Sequence, residues 1–241
     1  MTNDDYYRKH YFKVMNNNIL NHNILKGYNM LFYFAGSMIL HEPAEECIVD
    51  FWEKGILKNL PVSSSNPVFV NAASQLRDSF PDRTIFRRQL HEDYLRLFSK
   101  QAQALAPAYE SLYLKAMPEK TGYPSPNVTE FYSAYGWESK LKGKIADDHL
   151  GIELLFLTRL VDKYLLLDDV PCRGEMRKEI RRFINHHILS WVPEWNKKIQ
   201  RDAQTLSFKG IGNLILACSE DIFTLLGQES EELVSKNLLK N

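Results

Sequence analysis

The stretch Asp148-His149-Leu150-Gly151-Ile152-Glu153-Leu154-Leu155-Phe156-Leu157, continuing through Thr158-Arg159-Leu160-Val161-Asp162-Lys163-Tyr164-Leu165, decides the fold class. At ~3.6 residues per turn it reads as a helix of about four to five turns. Leu150, Leu154, Leu157, Val161 and Tyr164 fall on one face, and Ile152, Leu155, Phe156 and Leu160 fill much of the rest. A helix apolar on most sides is a core helix with neighbours all round. Asp147 or Asp148 reads as its N-cap, with Glu153 near the positive end of the helix dipole. His149 and Glu153 are four apart and share a face. Two readings fit this polar spot: a capping aspartate beside a solvated glutamate and a half-buried histidine, or the mouth of a groove that binds something.

Outward from this helix the same period recurs. Residues 1–23 are rich in Asn, Tyr and His, and Asn16-Asn17-Asn18 interrupts the pattern, so a frayed or weakly helical arm is expected. From Ile24 a helical face runs through Leu25, Tyr28, Leu31, Phe32 and Ala35. Pro43-Ala44-Glu45-Glu46 opens another helix carrying Ile48, Phe51 and Trp52. Residues 61–67 are a loop, and a helix follows from Phe69 to Ser79. The spacing of Tyr94, Leu97, Phe98, Ala102 and Leu105 predicts a helix over 84–105. Another spans 127–142, opened by Asn127 or Thr129. Residues 168–174 read as a linker, followed by a helix from Glu175 to Leu189 whose apolar face includes Met176, Ile180, Phe183, Ile184, His187 and Ile188. Trp191-Val192-Pro193 breaks it. A helix over 194–208 and a last one from Asn213 to Leu226 are separated by Gly210 and Gly212. With no alternating pattern of useful length, the expected fold is all-α: one domain of eight to ten helices over 24–227, with an arm at 1–23 and a charged tail at 228–241.

Composition sets the function classes. Thirty basic and thirty acidic residues in 241 cancel, which disfavours nucleic acid as a partner. The three cysteines, Cys47, Cys172 and Cys218, lie far apart without metal-ligand spacing, and fit a reducing compartment. There is no uninterrupted run of ~18 apolar residues and no signal-peptide pattern, so the expectation is a cytoplasmic protein with no membrane span. No phosphate loop, nucleophile elbow or dinucleotide fingerprint is present. His149 and Glu153 have ligand spacing, but no third ligand is evident from the sequence, and His186-His187 cannot be assigned to the same place; no catalytic residue, metal or cofactor is expected.

Three segments in the same order carry a resemblance. Tyr94-x-x-Leu97-Phe98 followed by Ala106-Pro107-Ala108-Tyr109-Glu110-Ser111-Leu112-Tyr113, then Asp148-His149-Leu150-Gly151-x-Glu153-Leu154, then His187-Ile188-Leu189-Ser190-Trp191-Val192-Pro193, resemble the motifs of the TorD/DmsD/NarJ family of redox-enzyme maturation chaperones. The resemblance covers about residues 85–226. Where the family has Gly-Pro-Gly, this chain has Lys100-Gln101-Ala102; Ala108 replaces a proline and Tyr109 a tryptophan. The resemblance implies a cytoplasmic all-helical chaperone that binds the twin-arginine leader or apo form of a molybdopterin oxidoreductase subunit and assists cofactor insertion before export. The client-binding residues it implies are Tyr94, Phe98, Pro107, Tyr109, Ser111, Tyr113, Asp148, His149, Glu153 and Trp191. The competing expectations are a helical DNA-binding regulator using the basic face of residues 175–189, and a small enzyme using Asp148, His149 and Glu153.

Overall fold

The apolar stripe centred on Leu154 becomes a helix from Leu150–Leu166, and eleven of its seventeen residues are buried. In the computed structural model the chain is described for residues 3–80, 83–99, 103–114 and 127–238, with side chains described from 21 to 227 within those ranges apart from residues 83 and 84. Among the described residues there are ten α-helices and no strand. In chain order these are α1 (Asn3–Leu40), α2 (Glu45–Ile48), α3 (Pro67–Arg77), α4 (Arg83–Phe98) and α5 (Glu110–Leu114). The second half holds α6 (Val128–Ala134), α7 (Leu150–Leu166), α8 (Val170–Phe183), α9 (Val192–Asp202) and α10 (Leu206–Leu238). One continuous apolar core runs from Leu25 on α1 to Leu226 on α10, so the helices form a single domain.

Helix α7 packs along α1, and small residues set the distance. A Cβ on Gly151 would lie 2.8 Å from Leu40 Cβ and 3.0 Å from the Gly36 carbonyl oxygen. Only a bare Cα permits that approach. Helix α10 lies on α3, α1 and α9. Its segment Leu206–Gly227 is long and apolar enough to cross a membrane, yet 67% of its most apolar window is buried inside the protein. It is accounted for as a core helix.

Several expected boundaries are corrected. The helix through Tyr28 begins at Asn3, not near Ile24. Helix α4 stops at Phe98 instead of reaching Leu105: the chain doubles back, and the amides of Leu105 and Ala106 donate to the carbonyls of Arg96 and Leu97. Residues 100–102, where the family glycines are replaced, lie outside the described residues. The helix opened by Asn127 ends early, at Ala134, and Gly136 follows at φ 59°. The expected linker 168–174 is instead the start of α8, whose N-cap Asp169 accepts from Cys172 N, with Pro171 in the first turn where its missing N–H costs nothing. Gly210 and Gly212 lie inside α10: a Cβ on the first would meet Leu76 Cγ at 2.7 Å, and on the second Asn196 Oδ1 at 2.6 Å.

Candidate functional site

The loop before α7 and the segment before α5 hold each other through backbone bonds. Tyr109 and His149 form an isolated antiparallel bridge. Glu110 N donates to Asp148 O at 3.0 Å, and Leu150 N donates to Ala108 O at 2.9 Å. Two N-termini are thereby brought side by side, and each takes its cap from the Asp148-His149 pair.

The expected N-cap is corrected here. His149, not Asp147 or Asp148, caps α7: its Nδ1 accepts from Gly151 N at 3.0 Å. Asp148 caps the neighbouring helix instead, its Oδ2 accepting from Ser111 N in the first turn of α5 at 3.1 Å. Burial lowers the pKa of His149 to about 4, so the ring is neutral and its Nδ1 lone pair is free to accept. The Tyr109 ring meets it edge-on, centroids 4.9 Å apart.

A groove of about 440 Å³ opens beside this junction, lined by Glu110, Ser111, Leu114, Asn127, Val128, Thr129, Asp147 and Asp148. Three of these carry carboxylates and none is basic, so the groove favours a cationic guest. Tyr132 fixes one wall by donating to Asp147 O at 2.9 Å.

Beneath the groove lies a buried polar cluster. Glu110 spans both levels: it lines the groove, and both its carboxylate oxygens lie 3.1 Å from His187 Nδ1. His187 is delivered by a π-helical turn, Ile184–Ile188, that follows α8 and is closed by Leu189 N donating to Ile184 O at 2.8 Å. Such turns are frequent at functional sites because the extra residue re-aims a side chain. Glu153 is fully buried on α7, and neither of its oxygens has a hydrogen-bond partner among the described residues. Its pKa is raised well above the usual carboxylate range, first by burial and then by the charges of Glu110 and Asp148. Trp191 roofs the cluster, donating from Nε1 to His187 O at 2.6 Å, and Tyr113 packs on it with centroids 5.2 Å apart.

The ten residues marked from the sequence thus separate into four places. Ser111 and Asp148 line the groove, with Tyr109 and His149 at the bridge beside it. Glu153, Tyr113 and Trp191 lie in or against the buried cluster. Pro107 is buried between Ala106, whose carbonyl accepts from Trp195 Nε1 at 3.1 Å, and Ala108. Tyr94 and Phe98 pack on each other and on Phe208 of α10, with centroids 5.4 Å and 5.4–6.2 Å apart respectively. Glu110, Asp147 and His187 complete the site and are absent from the sequence-derived set. The ligand pair suggested by the spacing of His149 and Glu153 is not what the fold assembles: His149 caps α7, and Glu153 stands instead beside Glu110 and His187. The basic face of α8 is largely engaged within the chain. Arg177 is buried, Lys178 pairs with Glu175, Arg182 pairs with Glu179 and stacks over Phe131, and Arg181 stacks over Phe223.

Fold and groove define an all-α protein in which three separated sequence motifs converge below an acidic cleft. Residues 69–197 match the family described as the nitrate reductase delta subunit, and the chain belongs to that family. Among curated relatives, it is 22% identical to the chaperone protein TorD of Vibrio parahaemolyticus over 202 residues, which covers 82% of this chain and 94% of the relative. It is 23% identical to the chaperone protein TorD of Aliivibrio fischeri over 205 residues, with the same coverage. A third, the chaperone protein TorD of Vibrio vulnificus strain YJ016, is 28% identical over 144 residues, 60% of this chain and 65% of the relative.

Proposed function

We propose that this protein is a maturation chaperone for a molybdopterin oxidoreductase, acting in the cytoplasm by binding the client's twin-arginine leader and apo form until the cofactor is inserted. It performs no chemistry of its own. The observation that carries this reading is the acidic groove bounded by Glu110, Asp147 and Asp148 at the junction of the family motifs. A leader offers the complement: guanidinium groups for the carboxylates, followed by an apolar stretch. Charge-assisted bonds of this kind contribute roughly 1.5–3 kcal/mol each. Leu114 and Val128 supply apolar wall beside the carboxylates.

Co-expression tests it. The tagged chaperone should retain an apo oxidoreductase subunit encoded in the same genome, and removal of that subunit's leader should weaken retention. A chaperone that retains no oxidoreductase subunit, with or without its leader, would overturn the reading.

A further inference from the structure

The buried cluster under the groove is rich in acceptors and poor in donors. Glu110, Glu153 and His187 each place a ligand atom within 4.8 Å of the other two. Among the described residues neither glutamate is paired with a lysine or arginine, and the ion-pair partner of Glu110 is His187 itself. His187 Nδ1 faces Glu110, and its Nε2 is buried with no partner among the described residues; an imidazole with its proton on Nδ1 offers a lone pair there. Both oxygens of Glu153 are in the same condition.

A buried polar atom without a partner is costly, and a buried charge more so. One proton on Glu153 removes its charge and can be shared with Glu110, but it leaves His187 Nε2 without a partner. A divalent cation answers all of the deficits together. Its charge balances the two carboxylates, and oxygen and imidazole donors are those that Zn²⁺, Mn²⁺ and Fe²⁺ accept. Ligand atoms on one ion at about 2.0–2.2 Å lie at most about 4.4 Å apart, so atoms within 4.8 Å of one another need only a small side-chain adjustment to close on it. Glu110 also supplies the route in, because it forms part of the groove wall.

We infer that Glu110, Glu153 and His187 form a binding site for one first-row divalent cation. Three protein ligands leave a coordination position for water or for a group entering from the groove. The ion would clamp together α5, α7 and the π-helical turn, of which the Glu110–His187 contact already joins the first and the last. The site shares Glu110 with the groove wall, but metal retention is measured with no leader present and so tests this inference independently of the leader-binding reading.

The full chain, stripped with a chelator, is dialysed to equilibrium against Zn²⁺, and bound metal is counted by plasma mass spectrometry. The expected result is one equivalent retained at micromolar free zinc and a melting temperature that rises saturably with zinc, since a ligand of the native state stabilises it by mass action. Co²⁺ in the same site should give visible d–d absorption. Glu153→Gln, close in volume, should lower affinity at least a hundredfold with an unchanged far-ultraviolet spectrum. Glu110→Gln provides a second variant if the first does not fold. His91→Ala removes the exposed His91–Glu42 pair, the obvious surface competitor, and should change nothing. Absence of retained metal in the wild type, equal retention by the glutamine variants, or loss in His91→Ala would overturn the inference.

Discussion

His149 Nδ1 accepts a hydrogen bond from Gly151 N at 3.0 Å, so an imidazole serves as the N-cap of the central helix. The ring must be neutral to do this, and burial holds its pKa down at about 4 against an ordinary value of 6.5.

That depression has a sign in stability. The unfolded chain takes up a proton at His149 near pH 6.5 and the folded chain only near 4, so the contribution is complete above pH 6.5 and is lost as the pH falls toward 4. The loss is on the order of 3 kcal/mol at about 1.4 kcal/mol per pH unit. His149→Asn keeps a capping oxygen and removes the titration. Urea melts between pH 7.5 and 4.5 should show the wild type losing more stability than the variant; parallel losses would show that His149 does not carry the effect.

Leu154 is fully buried and its Cβ lies against α1 at Gly36. Leu154→Ala should cost about 2–5 kcal/mol, as other buried leucine truncations do. Denaturant melts read this directly, and a change under about 0.5 kcal/mol would mean the site relaxes to fill the space.

Gly151→Ala separates propensity from packing. Alanine favours an isolated helix by roughly 1 kcal/mol over glycine. Here the added Cβ would sit 2.8 Å from Leu40 Cβ and 3.0 Å from the Gly36 oxygen, backbone that cannot move alone. The expected net effect is destabilisation by about 1–3 kcal/mol, the usual cost of overpacking. A more stable variant would show that α1 shifts freely against α7.

The fold class was legible because α7 carries its apolar pattern locally, through Leu150, Leu154, Leu157 and Val161. The start of α8 was legible too, in Asp169 followed by Val170-Pro171, a cap and a first-turn proline that the linker reading passed over. The helical course through Gly210 and Gly212 was not. Those glycines answer close approach by Leu76 and Asn196, contacts between distant parts of the chain. The site divides in the same way. Asp148, His149 and Glu153 share one short segment, so their association could be read from spacing. Glu110 and His187 are 77 residues apart in sequence and meet only in the fold. His187 falls in register with the apolar residues of its helix and reads as core, and Glu110 reads as a spacer between Tyr109 and Ser111.

Asp148 tests the leader-binding account most directly. Asn at this position keeps an oxygen to accept from Ser111 N, so the cap of α5 and the fold should survive while the charge in the groove is lost. The measurement is titration calorimetry of wild type and Asp148→Asn against the twin-arginine leader of a molybdopterin oxidoreductase from the same genome, with a twin-lysine leader as control. Lysine retains the charge but cannot form the paired guanidinium–carboxylate bonds. The predicted result is measurable wild-type binding, weaker binding of the twin-lysine leader, and a fall of about tenfold or more for Asp148→Asn, equivalent to ~1.4 kcal/mol. Equal affinity of wild type and variant, or no binding of any leader by the wild type, would contradict it.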